Sequence, residues 1–143
     1  NDYDSIDLNL LEYLVEHMPD INIKEFKTGK TLLFYLYDFD AIRDTLIEHG
    51  SDQNHMDDDG MTILNYEILT PFPEITSIEW MLEHGVDPNL GIDNAYVLLK
   101  KLKKIRIEEN DAYVDYFENI FKTLLDYRMK ITKQQLDEFY GNA

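Results

Sequence analysis

Leu46-Ile47-Glu48-His49-Gly50-Ser51-Asp52-Gln53-Asn54 is the stretch from which the fold is read. Its first four residues close an amphipathic helix, and Gly50 stands where a left-handed residue caps the last carbonyls. Asp52-Gln53-Asn54 then carries turn chemistry, because short Asx side chains bond their own backbone. The phrase occurs upstream as Leu14-Val15-Glu16-His17-Met18-Pro19-Asp20-Ile21-Asn22. It occurs downstream as Met81-Leu82-Glu83-His84-Gly85-Val86-Asp87-Pro88-Asn89. The spacings are 46 − 14 = 32 and 81 − 46 = 35 residues.

A second phrase lies between the copies of the first. Gly29-Lys30-Thr31-Leu32-Leu33 returns as Gly60-Met61-Thr62-Ile63-Leu64, and Gly91 opens a weaker third copy. These glycines are 31 residues apart both times (60 − 29 and 91 − 60). Each Gly-x-Thr reads as the start of a helix, with Thr at the N-terminal position and apolar residues behind it. Two interleaved phrases with one period define a structural repeat of turn, helix, short connection and helix. No copy has enough apolar surface to fold alone, so neighbours must share a core.

Helices are predicted at 6–17, 31–37, 40–49, 62–69, 75–84, 94–106, 111–127 and 133–140. Pro71 and Pro73 interrupt the chain between two of them. Thr132 with Gln135 makes a capping box at the start of the last helix, and Gly141 ends it. Helices 94–106 and 111–127 are longer than the earlier pairs. They read as a divergent terminal copy, in which Leu124-Leu125-Asp126-Tyr127 is a worn version of the first phrase.

Asp57-Asp58-Asp59-Gly60-Met61-Thr62-Ile63-Leu64-Asn65, followed by Met81-Leu82-Glu83-His84-Gly85-Val86-Asp87-Pro88-Asn89, resembles the ankyrin repeat family. That consensus runs roughly Asp-x-x-Gly-x-Thr-Pro-Leu-His and then Leu-Leu-x-x-Gly-Ala-Asp-x-Asn. Ile63 and Asn65 stand where Pro and His are usual, and Glu67 and Ile68 replace small alanines. Phe34, Tyr35, Leu36 and Tyr37 are also larger than the consensus, which implies wider helix spacing. The resemblance covers about residues 5 to 106. It implies a single all-α domain over 1–143, an ankyrin-like solenoid of helical hairpins with connecting turns and an atypical C-terminal capping helix pair. The partial copy is 5–22, two copies follow at about 26–54 and 57–89, and the divergent copy and cap occupy about 91–143.

Composition narrows the function. The 143 residues are 44% apolar, enough for a core. No apolar run approaches the roughly 18 residues of a membrane span. There is no cysteine, which excludes disulfides, thiolate catalysis and Cys-ligated zinc. No Asn-x-Ser/Thr sequon occurs, and a cytoplasmic location is expected. The chain begins at Asn1 rather than Met and is read as a trimmed piece, with a removed signal segment left open. A net charge of −16 repels nucleic acid, would steer a basic partner, and suppresses self-association, so a monomer is expected.

Several motifs fail on their own chemistry. Thr28-Gly29-Lys30-Thr31 looks like the tail of a phosphate loop, but the required earlier glycine is Lys24. Asp57-Asp58-Asp59-Gly60 suggests a calcium loop, yet His55 and Tyr66 occupy the two end positions that need carboxylates. His17, His49 and His84 sit at equivalent places in successive copies. Packed helices lie about 8–10 Å apart, too far to share a metal with ligands near 2 Å. These histidines are expected at helix C-termini, where partial positive charge is favourable. No catalytic signature is present, and no enzyme activity, metal or cofactor is expected. Lys100-Lys101-Leu102-Lys103-Lys104-Ile105-Arg106 holds five of the thirteen basic residues and reads as a solvated face, with Glu108, Glu109 and Asp111 as neighbours to pair with.

The family resemblance implies binding through turn tips and the exposed face of each first helix. It selects Phe26, Lys27, Thr28, Lys30 and Tyr35, then Asp58, Asp59, Met61, Asn65 and Tyr66, then Leu90, Ile92 and Tyr96. Aromatics, Met and acids together suit a protein interface. The expected function is a protein-protein interaction module. The alternatives are an acidic immunity or inhibitor protein that neutralises a basic toxin enzyme, and an enzyme or effector that uses the stack as a scaffold.

Overall fold

The computed structural model describes residues 7–110 and 113–141, except for the side chain of Ile107. All regular structure among them is helical: α1 Leu8–His17, α2 Leu32–Leu36, α3 Asp40–Glu48, α4 Ile63–Ile68, α5 Ile75–Glu83, α6 Ala95–Glu109, α7 Tyr113–Asp126 and α8 Lys133–Phe139. Every predicted helix is present. The starts expected at Ile6 and at Asp111 lie outside the described residues. Helix α6 runs three residues past the expected end at Arg106, because nothing in Ile107-Glu108-Glu109 breaks a helix. None of the described helices is long and apolar enough to cross a membrane.

Local chemistry sets the helix starts. Asp7 Oδ1 accepts from Leu10 N at 3.2 Å, and Asn94 Oδ1 from Val97 N at 3.1 Å. At α8 the capping box is complete: Thr132 Oγ1 accepts from Gln135 N, and Gln135 Oε1 accepts from Thr132 N. Thr31 departs from the expectation. It precedes α2, but its side chain makes no cap bond, and its buried hydroxyl has no hydrogen-bond partner among the described residues.

The chain forms two compact units, one ending at Ile63 and the other beginning at Leu64. In the first, α1 and α2 pack on α3 around Val15, Leu33, Ile42 and Leu46. In the second, α5 and α6 pack on α7 around Met81, Leu99, Ile120 and Leu124. There Phe121 stacks on Phe139 at a centroid distance of 3.9 Å, which holds α8 against α7.

One helix-end geometry recurs. Gly50 N donates to Ile47 O and Ser51 N to Leu46 O. Gly85 N donates to Leu82 O and Val86 N to Met81 O. Arg128 N donates to Leu125 O and Met129 N to Leu124 O. Gly50, Gly85 and Arg128 have φ of 92°, 87° and 75°. Residues 124–129 therefore repeat the helix end of the better copies, with an arginine in the conformation that favours glycine. The turns that follow also match. Asp20, Asp52 and Asp87 each accept through Oδ1 from the N–H of Asn22, Asn54 and Asn89, all at 2.9 Å.

Asn22 and Asn89 then clamp the next turn. Asn22 Nδ2 donates to Gly50 O at 2.9 Å, and its Oδ1 accepts from Asp52 N at 2.7 Å. Asn89 Nδ2 donates to Arg128 O at 3.1 Å, and its Oδ1 accepts from Lys130 N at 2.7 Å. Asn89→Ala should lower the unfolding free energy by about 1–2 kcal/mol, read as a lower urea midpoint at unchanged slope. Arg128→Gly should raise it by about 1 kcal/mol through relief of the left-handed strain. An unchanged midpoint for both would remove the clamp and the strain from the account.

Candidate partner-binding surface

The first turn tip is built by Glu25. Its backbone N–H donates to Lys30 O at 2.8 Å, and its carbonyl accepts from Gly29 N at 2.9 Å. Its carboxylate accepts from Thr28 Oγ1 at 2.6 Å and from the Tyr35 hydroxyl at 2.7 Å. The Lys30 ammonium lies 5.9 Å from the Tyr35 ring centroid. The two hydroxyl hydrogen bonds hold the Glu25 carboxyl below its ordinary pKa, and the Glu25 carboxylate holds the Tyr35 phenol above its own. Phe26 protrudes from this braced loop with 98% of its surface exposed. Lys27 is exposed beside it, and Lys30 is partly covered.

The second tip of the same unit adjoins the first. Asp58 N donates to Thr28 O at 2.9 Å. Asp57 is buried, and its Oδ1 accepts from Asp59 N and Met61 N, so it shapes the loop from inside. Asp58 and Asp59 face solvent, and Met61 is partly exposed. Phe26, Lys27, Tyr35, Asp58 and Asp59 therefore offer surface to a partner, with Lys30 and Met61 contributing part of theirs. In the second unit Ile92 is 79% exposed, while Leu90 and Tyr66 are half-buried.

Asn65 and Tyr96 correct the expected list. Asn65 is 1% exposed, and its side chain lies against Gly91, where an added Cβ would come within 2.2 Å of Oδ1. Tyr96 is 3% exposed and donates its hydroxyl to Gln135 O at 3.0 Å. Both are packing residues, although the family resemblance places them on an open face.

The basic run on α6 is likewise more than a solvated face. Lys103 donates to Phe139 O, and its ammonium lies 4.1 Å from the Phe139 ring centroid and 5.8 Å from that of Tyr140. Burial lowers its pKa from the usual lysine value. Lys100 pairs with Glu138 at 2.8 Å, Lys101 with Asp93 at 3.1 Å, and Arg106 with Glu109 at 3.2 Å. Of the other two acids expected to pair with this run, Glu108 makes no ion pair among the described residues and Asp111 lies outside them. These lysines, with Tyr96, Phe139 and Tyr140, line a cavity of about 950 Å³. Its wall also carries Glu108, Glu118 and Glu138, so charge of both signs faces the space.

The histidines end helices, as their spacing suggests. Nδ1 of His17, His49 and His84 lies 2.7, 2.8 and 2.7 Å from the carbonyls of Tyr13, Thr45 and Trp80. A carbonyl can only accept, so each Nδ1 carries the proton. Among the described residues no group of three or more His, Asp or Glu side chains could hold a metal ion.

Neither models of known protein families nor characterised proteins match the chain.

The Glu25 network has a titration signature. A lowered carboxyl pKa means that the tip is stabilised above the ordinary glutamate range, and that this is lost as pH falls through the lowered value. A ¹³C titration of the Glu25 carboxyl should give a midpoint below that of an ordinary glutamate, and Tyr35→Phe should raise it. An ordinary midpoint that Tyr35→Phe leaves in place would mean the tip is not braced in this way.

Proposed function

We propose that the chain is an ankyrin-like stack that works as a protein-binding module rather than an enzyme, and that it meets its partner as a monomer through the first two turn tips. The observation that carries this is Phe26, an aromatic ring almost wholly in water on a loop braced by four Glu25 hydrogen bonds. A rigid aromatic anchor loses little conformational freedom on docking, which is the usual character of an interface hot spot. Lys27, Tyr35, Asp58 and Asp59 would form the surrounding contacts, with Lys30 and Met61 at the edge. The ankyrin-like reading is supported by the interleaved phrases and by the three matching helix ends.

A second reading keeps the net charge of −16 in view: an inhibitor that covers a basic enzyme. Asp58 and Asp59 favour it, since they sit exposed beside the aromatic anchor. Electrostatic steering would then make the association rate fall steeply with salt.

Affinity capture from the native source, with wild type and the Phe26→Ala/Tyr35→Ala double variant side by side, tests the proposal. Phe26 is almost wholly exposed, but Tyr35→Ala also removes the hydrogen bond to Glu25, so a thermal melt checks that the variant stays folded. The account expects a co-eluting protein with the wild type and a loss of at least about 30-fold in its recovery with the variant, as for a hot spot of about 2 kcal/mol. Equal recovery would place the binding surface elsewhere.

A further inference from the structure

Phe72 is 63% exposed in the connection between α4 and α5, where it stands between two prolines. Pro71 is exposed and Pro73 is buried, so the chain is anchored just after the ring. A proline fixes its own φ, and the residue before a proline is held to extended backbone. The ring is therefore presented on a backbone with little freedom left to lose on docking.

This connection reaches the start of α7, on which α5 packs. The Phe72 ring lies 6.2 Å from that of Tyr113, between centroids. Tyr113 and Tyr116 lie 6.3 and 5.6 Å from the ring of Phe117, which is buried. Both tyrosines are half-buried, so each keeps part of its surface open. Burial, and then the carboxylates of Glu67 and Glu74, raise the Tyr116 phenol above its ordinary pKa. Glu67 is buried and Glu74 is exposed. All of these residues belong to the unit that begins at Leu64.

The two segments that build this face bring charge of one sign. Residues 64–83 carry four glutamates and no Lys or Arg. Residues 113–121 add Asp115 and Glu118, again with no Lys or Arg.

We propose that the face formed by Phe72, Tyr113 and Tyr116 is a docking site for an arginine-bearing segment of a partner protein, with the guanidinium on the rings and Glu74 as its counter-charge. A guanidinium is planar and weakly hydrated, so it stacks on aromatic faces more readily than an ammonium does. Its N–H groups can also meet a carboxylate two at a time. An apolar occupant would cover the rings and bring nothing to the acids. A second copy of the chain would set like charge against like charge. The face is separate from the turn tips, so either surface can fail without the other.

The probe is the blocked peptide N-acetyl-Gly-Arg-Gly-Arg-Gly amide, titrated into the whole protein and followed by ¹H–¹⁵N correlation spectra. Saturable shifts are expected at the amides of Phe72, Glu74, Tyr113 and Tyr116. The matching lysine peptide should bind at least about twofold more weakly, and the uncharged citrulline peptide at least about tenfold more weakly. Phe72→Leu keeps an apolar side chain and removes the ring, and Glu74→Gln removes the charge. Each should weaken the arginine peptide at least about twofold, while Phe26→Ala should leave its binding unchanged. The variants' own spectra report whether the fold is kept. Shifts spread evenly over the acidic surface, equal binding of the lysine or citrulline peptide, or undiminished binding by both folded variants overturns the proposal. So does a wild-type dimer by sedimentation that Phe72→Leu abolishes, since a second copy would then be the occupant.

Discussion

A pair of hydrogen bonds from one asparagine side chain is the constraint on which the order of the turns depends. Asn22 and Asn89 each present a donor and an acceptor to a loop about thirty to forty residues further on. The amide satisfies a carbonyl at a helix C-terminus and an N–H just beyond it, groups that no helix can satisfy internally. The asparagine is itself held by the aspartate two residues before it. Within each unit one turn thus fixes the turn after it. The constraint is strong enough to hold Arg128 at φ 75°, in the place that glycine fills at 50 and 85.

The features that could be read from the sequence are those whose chemistry is local. Helix ends, Asx turns and the capping box at Thr132 each need only residues within a few positions, and all are where the sequence puts them. The features that could not be read depend on a neighbour brought in by folding. Asn65 is buried because Gly91 closes over it, and Tyr96 because α8 supplies a carbonyl at Gln135. Thr31 looks like a cap by type, but its hydroxyl is buried without a hydrogen-bond partner among the described residues. Lys103 reads as one more solvated lysine until Phe139 and Tyr140 are placed beside it. Glu25 carried no signal at all, since a lone acid before Phe26 does not announce that it will gather a threonine and a tyrosine.

Two kinds of exposed apolar surface result, and they differ physically. The tip exposes Phe26 on a loop cross-braced by hydrogen bonds, so its shape is set before any partner arrives. Helix α1 exposes Leu10 and Leu14 at positions that the same register buries on three other helices. The first is a projection that needs a pocket. The second is a flat stripe on a helix. A net charge of −16 opposes, by repulsion, the pairing of either surface with another copy of the chain.

The central claim is that one turn-clamping unit recurs through the worn C-terminal copy. Amide hydrogen exchange tests it most directly at Lys130, whose N–H lies outside any helix and donates only to the Asn89 side chain. The account predicts that this amide exchanges at least about tenfold more slowly than an unprotected one, and that Asn89→Ala removes the protection there while the α7 amides keep theirs. A Lys130 amide exchanging at the free-peptide rate in the wild-type protein would contradict it.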